Sequence, residues 1–326
     1  MAVSAAGGTR VLYIGGTGRT SSTLVEKVLG QYDGIFAAGE LAFLWRFGLQ
    51  AGGRCSCGKP LRACDVWASV LGTDVLATVD AAEMARLRRR FNSRHLPLMV
   101  SPSARRALLR RLGPFSAALE ELYASIRRTT GSRVIVDASK EPHYSFILDS
   151  LPSLDVRFLH LVRDPRAVAR SWQRDKKEIG LPGDASMERR SPPVSALYYD
   201  VSNAAAEWLW RRHPDRYLRL RYEDFVRRPG DALRAIGTFI GEELDPDMVL
   251  SGRSLRLRPT HSAWGNPNRF EHGDIPLRAD TAWMATLPWR DRTVMTALTF
   301  PFMRRYGYSV GRDAASTDTV VAVGDA

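Results

Sequence analysis

The chain has 326 residues, 44% of them hydrophobic, with 47 basic against 35 acidic side chains and a formal net charge of +12. This length suits one large α/β domain with insertions and a core that needs no disulfides, and the lack of any run of about eighteen apolar residues excludes a spanning helix. The opening MAVSAAGGTR lacks a basic segment followed by an apolar one, and three cysteines are an odd number for a disulfide framework, so no signal peptide and a cytoplasmic location are expected. The positive charge suits an anionic partner, which could be nucleic acid, a membrane surface or a polyanionic small molecule, or else a solvated basic surface. Much of it lies in MARLRRRFNSRHL and SARRALLRRLG, which read as exposed helix faces.

In chain order, residues 1–9 are expected to be disordered, and RVLYIGG (10–16) is a short buried strand. SSTLVEKVLGQ (21–31) reads as a helix, GIFAAGE (34–40) as a second strand and LAFLWRFGLQ (41–50) as another helix. Residues 51–131 interrupt the alternation with cysteines and then arginine-rich helices, and are expected to form a helical insertion or substrate cap. SRVIVDAS (132–139) and VRFLHLVRD (156–164) are β-branched apolar runs with polar ends, a helix begins near Pro165, and RYLRLRYEDF (216–225) completes the set. The expected fold is therefore α/β: a P-loop-like parallel sheet flanked by helices in one domain over 1–310, with a disordered tail at 311–326. Ligands of such sheets bind at the carboxyl ends of the strands, which here carry Gly15–Arg19, Glu40, Asp137–Lys140, Arg163 and Tyr222.

The first strand leads into Gly15, Gly16, Thr17, Gly18, Arg19, Thr20, Ser21, Ser22 and Thr23. No Walker lysine is present, and Arg19 stands near its place. Backbone N–H groups at a helix start and the hydroxyls of Ser22 and Thr23 can cradle an anion, with Arg19 adding a bidentate charge. A glycine-rich turn with a Ser/Thr helix cap is the plainer alternative. A second pattern, FLHLVRDPRAVARSW (158–172), puts Arg163 at a strand end and Ser171 eight residues later, along the next helix. The two could grip a second phosphate.

These two motifs resemble those of sulfotransferases that use 3′-phosphoadenosine 5′-phosphosulfate (PAPS). In that family the first loop, here Gly16, Gly18, Arg19, Thr20, Ser21, Ser22 and Thr23, holds the 5′-phosphosulfate. The arginine and serine of the second, here Arg163 and Ser171, hold the 3′-phosphate. RYEDFVRRPGDALRAIGTFIG (221–241) resembles the segment that places a tyrosine by the adenine, which implies that role for Tyr222. HSAWGNPNRF (261–270) resembles a late loop closing over the nucleotide, which implies Gly265 and Arg269. Many members carry glycine where Ser21 stands, and a side chain there could crowd the phosphosulfate unless it points away.

The resemblance implies sulfuryl transfer from PAPS to an acceptor hydroxyl or amine, with PAP (adenosine 3′,5′-bisphosphate) as product. The segment AAGELAFLW is similar to one in tyrosylprotein sulfotransferases and implies Glu40 as general base, with a first-turn helix carboxylate as the alternative. Lys140 is implied to stabilise the transferring or leaving charge, with Ser139 assisting; a strand-end lysine paired to an acid is the alternative. His143 is a rival base. No metal is expected in the transfer, and the site is assigned none. Cys55, Cys57 and Cys64 could bind zinc, which wants a fourth ligand for which His95 is the distant candidate; a disulfide or simple packing is equally open. An ATP-using P-loop kinase and a nucleic-acid-binding module are the alternative functions, and a nucleic-acid partner is not expected because the basic runs lack aromatic interleaving. Small-molecule, lipid, carbohydrate and peptide acceptors all stay open, as does the oligomeric state.

Overall fold

The computed structural model describes residues 8–99, 101–183 and 186–310; the tail expected at 311–326 and most of the segment 1–9 lie outside the described residues. Five strands, β1 (Thr9–Gly16), β2 (Ile35–Gly39), β3 (Val134–Lys140), β4 (Leu154–Val162) and β5 (Tyr217–Arg221), form one parallel sheet in the order β2-β3-β1-β4-β5. Each expected strand is present within a few residues. The apolar runs are continuous because both sheet faces are covered: Val11, Leu12, Tyr13 and Ile14 are all fully buried. On one face, Leu12 and Ile14 pack with Val25, Val28 and Leu29 of helix α1 (Ser22–Leu29) and with Leu233, Ile236 and Ile240 of the helix Pro229–Ile240. On the other, Val11 and Tyr13 pack with Phe158, Trp210 and the segment between β2 and β3.

That segment is less of an appendage than expected. Its last helix, Gly113–Thr130, buries Phe115, Leu119, Leu122, Tyr123 and Ile126 in the main core and leads directly into β3. Its arginines also divide. In the helix Ala81–Arg90, Arg86, Arg89 and Arg90 face solvent, but Arg88 turns inward to pair with Glu141 and lies 5.0 Å over the Phe43 ring. Residues 41–50 are a 3-10 turn (Leu41–Phe43) followed by a π-helical stretch (Leu44–Gln50) rather than an α-helix. Such widened turns are rare and frequent at functional sites.

The chain leaves β1 toward β2 and β3 on one side, then crosses to β4 and β5 on the other. This reversal opens a crevice at the carboxyl ends beside β1, the place where open α/β sheets bind ligands. Gly16 makes the close approach there possible. Its φ is +124°, and a Cβ would stand 2.8 Å from the Leu161 carbonyl of β4.

Candidate active site

The first wall of the crevice is the loop from Gly16 to α1. Gly18 backs onto Trp172, where a Cβ would meet the ring at 2.9 Å, and the Arg19 guanidinium lies 4.5 Å over the same ring. Thr20 is buried and its hydroxyl donates to the Thr17 carbonyl at 3.2 Å. Arg19 and Ser21 both have left-handed backbones, φ +70° and +69°, a conformation that costs a non-glycine residue roughly 1–2 kcal/mol. The Ser21 side chain turns toward Arg163 and accepts its Nη1 hydrogen bond at 3.2 Å, which leaves the start of α1 clear. Ser22 and Thr23 open that helix. The buried Thr17 Oγ1, Arg19 Nε and Ser22 Oγ have no hydrogen-bond partner among the described residues. Buried polar groups are ordinarily paired, so three orphans around one helix N-terminus fit an anion. Burial also pulls Arg19 below the ordinary arginine value.

The second wall is the end of β4. Asp164 caps the helix Pro165–Gln173, accepting from the Arg166 N–H at 2.9 Å, and this frees Arg163 to enter the crevice. Arg163 Nη1 donates to the Arg19 carbonyl at 3.0 Å, its guanidinium stacks 4.5 Å over Tyr222, and Nη2 pairs with Asp280. Its Nε has no partner among the described residues. Ser171 lies along that helix, and Tyr222 begins the helix after β5. A cleft of about 250 Å³ gathers Arg19, Ser21, Ser22, Thr23, Lys140, Arg163, Ser171 and Tyr222. The two motifs are thus one site.

The third wall carries Lys140, which lines the cleft, and its partner Glu40, which does not. Glu40 follows β2, and its backbone N–H donates to the Trp264 carbonyl at 2.9 Å. Lys140 ends β3 with φ +70° and pairs directly with Glu40 Oε1, while its Nζ also donates to the Ala138 carbonyl at 3.0 Å. Each of these side chains is only 13% exposed. Ser139 points elsewhere: its hydroxyl donates to Asp137, accepts from the Ala42 N–H at 2.9 Å, and does not line the cleft. His143 is buried beside Phe91 and Glu141, and burial lowers its pKa to about 3. It does not line the cleft either.

The sulfotransferase family profile matches residues 12–246, most of the chain and every strand of the main sheet. The chain belongs to the sulfotransferase family. It is 27% identical to human carbohydrate sulfotransferase 3 over 179 residues, covering 51% of this chain and 36% of that protein. The rat carbohydrate sulfotransferase 3 is 25% identical over 344 residues, covering 95% and 70%. The chain thus spans about a third of the length of the human relative it matches. Two solved structures share the fold: the sulfotransferase domains of the Synechococcus PCC 7002 olefin synthase and of the curacin biosynthetic pathway. Each has a TM-score of 0.50, at 22% and 18% identity; both alignments cover 91% of this chain, and 95% and 97% of the respective domains.

The late loop of this sulfotransferase contributes differently from expectation. Asn266 and Asn268 line the cleft, while Gly265 stands beside Glu40. Arg269 is buried between Trp264 and Phe270, at 4.8 and 4.4 Å from their rings, and donates to the Gly265 carbonyl. It supports the loop from behind and does not line the cleft. Five further charged residues do: Lys27, Arg174, Lys176, Glu271 and Asp280. Lys27 lies four residues after Thr23, on the same face of α1, a spacing that could have revealed it. Its Nζ donates to the Asn268 carbonyl at 2.9 Å and so ties α1 to the late loop. Burial, and then the nearby Arg19, pull Lys176 below the usual lysine value. Nothing in the spacing of Arg174, Lys176 or Asp280 points to the loop. The lining holds six basic side chains (Arg19, Lys27, Lys140, Arg163, Arg174, Lys176) against two acidic ones (Glu271, Asp280), a cleft built for a polyanion.

Proposed function

We propose that this sulfotransferase takes its sulfuryl group from PAPS and delivers it to an acceptor hydroxyl, with Glu40 as general base. The observation that carries the reading is the Glu40–Lys140 pair, whose lysine lines a cationic cleft together with Arg163, Ser171 and Tyr222. In this reading the phosphosulfate sits at the N-terminus of α1, facing the orphaned Ser22 Oγ and Arg19 Nε. The 3′-phosphate lies between Arg163 and Ser171, and the adenine beside Tyr222. Asp280 yields Arg163 to the phosphate as the nucleotide enters.

The acceptor oxygen forms its bond to sulfur as its proton passes to the Glu40 carboxylate. The bond between sulfur and the bridging oxygen breaks, and its electron pair stays on the 5′-phosphate of PAP. Lys140 is the hinge of the scheme. Paired with Glu40 it holds the base in place; turned toward the bridging oxygen it takes up the charge that develops there and leaves Glu40 free to accept the proton. Arg19 supplies the rest of the positive charge, so no divalent cation is required. The chain's likeness to carbohydrate sulfotransferases favours a carbohydrate hydroxyl as acceptor.

The test is PAP release from PAPS with a panel of oligosaccharides, each product checked by mass for the gain of a sulfuryl group. Glu40→Gln should lower turnover by roughly 10²–10⁴ with PAP affinity unchanged. EDTA given briefly should leave the rate intact, and added Mg²⁺ should not raise it. Wild-type turnover in Glu40→Gln would remove the base, and strict dependence on Mg²⁺ would remove the charge argument.

A further inference from the structure

Far from the reacting atoms in sequence, Cys55, Cys57 and Cys64 converge with His261, and all four ligand atoms lie within 4.8 Å of one another. Cys55 and Cys64 are fully buried. Their sulfurs stand 3.7 and 3.3 Å from the same atom, His261 Nδ1. A tetrahedral zinc with Zn–S of about 2.3 Å and Zn–N of about 2.0–2.1 Å separates sulfur from nitrogen by roughly 3.6 Å. Both observed spacings fall around that value. Hydrogen bonding alone explains the cluster poorly, because one imidazole nitrogen has a single proton or a single lone pair to share between two sulfurs. His95, the fourth partner suggested by the sequence, is elsewhere: it stacks on Phe91.

We propose that Cys55, Cys57, Cys64 and His261 Nδ1 bind one structural zinc ion that clamps the late loop onto the catalytic wall. Three sulfurs and one nitrogen within 4.8 Å of one another suit zinc rather than calcium or magnesium, which take oxygen ligands. The surrounding hydrogen bonds orient the ligands. A tight turn returns the Gly58 N–H to the Cys55 carbonyl at 2.9 Å, and Trp67 Nε1 donates to the His261 carbonyl. Ser56 stitches the same two segments together: its hydroxyl donates to the Thr260 carbonyl at 2.6 Å and accepts from the Ser262 N–H at 2.8 Å. Just beyond His261, the Ala263 N–H donates to the Ala38 carbonyl at 2.9 Å, and the Trp264 carbonyl receives the Glu40 N–H. The metal would therefore fix the segment that orients the base, without touching substrate.

The experiment is metal analysis of the full chain, purified under reducing conditions without chelator, followed by cobalt substitution. The expected result is one zinc per chain. Cobalt should give thiolate-to-metal charge transfer and the visible bands of a tetrahedral site. Cys57→Ser, at a half-exposed ligand, should stay folded by circular dichroism and weaken zinc binding by at least tenfold. His261→Cys should retain the metal, and His95→Ala should match the wild type. Any of three results would overturn the proposal: a metal-free chain that gives no cobalt charge-transfer band, a mapped disulfide between two of the three cysteines, or zinc content unchanged in both Cys57→Ser and Cys64→Ser. None of these readouts depends on the acceptor or on activity, so failure of the donor assignment would leave them interpretable.

Discussion

Glu26 is a carboxylic acid sealed beneath the active site. It is fully buried in α1, accepts from Ser262 Oγ at 2.8 Å, and burial raises its pKa to about 8. An unfolded chain would ionise it near 4.5. Between those values the folded state binds the extra proton, so stability falls as pH rises through the window. Below it both states are protonated and above it both are ionised, so the slope vanishes. Glu26→Gln keeps an acceptor for Ser262 and removes the titration. In urea melts the wild type should lose stability between pH 5.5 and 8 by up to about 1.4 kcal/mol per pH unit more than the variant. Parallel pH profiles would show that Glu26 is not held neutral. Other features at this scale are hidden from sequence reasoning. Arg19, Ser21 and Lys140 have left-handed backbones without being glycine, all three at the site, where backbone strain tends to collect. Residue type gives no hint of that. By contrast the meeting of Arg163 and Ser171 in one cleft was legible, because a strand end and the following helix bring an eight-residue spacing together.

Among the elements, β2 shows how an apolar run and one glycine fix the catalytic wall. Gly39 has φ +87°, and a Cβ there would stand 2.5 Å from the Trp264 carbonyl, the acceptor of the Glu40 N–H. Gly39→Ala therefore strains the backbone and pushes the late loop off the strand. The expected cost is about 2 kcal/mol or more, read as a lower urea midpoint, and turnover should fall with it. An unchanged midpoint would mean that the strand and the late loop are not in this contact. The strands were legible because runs such as VLYI and VIV admit few alternatives. The segment 41–50 is helical as its sequence suggests, but it starts as a 3-10 turn and widens into a π-helical stretch. Gly53 helps set that geometry: its N–H bonds the carbonyls of Phe47 and Gly48 together. A periodicity argument does not resolve that change of pitch.

At the scale of the whole molecule, the sheet reversal beside β1 collects residues from Arg19 to Asp280 into one cleft, and most of the sequence-assigned anion ligands reach it. Gly16, Gly18, Thr20, Glu40, Ser139, Gly265 and Arg269 do not line it; Ser139 and Arg269 have buried partners that only the assembled fold supplies, Asp137 and Ala42 for the first, Trp264, Phe270 and Gly265 for the second. Asp280 and His261 were unreadable for a related reason. Each acts more than a hundred residues from its partners in the chain, on Arg163 and on Cys55 and Cys64. Composition hinted at an anionic ligand, and the fold concentrates that hint: six cations face one cleft, while arginines such as Arg89 and Arg90 stay in solvent.

The claim on which the account rests is that Arg163 and Ser171 hold the 3′-phosphate of a PAPS donor. Calorimetric titration of PAP and of adenosine 5′-phosphosulfate into the wild type and Arg163→Ala tests it most directly. A charged hydrogen bond contributes about 1.5–3 kcal/mol, so the variant should bind PAP roughly tenfold to a hundredfold more weakly. Adenosine 5′-phosphosulfate lacks the 3′-phosphate and should lose far less. Equal losses for the two ligands, or no loss for PAP, would contradict the assignment.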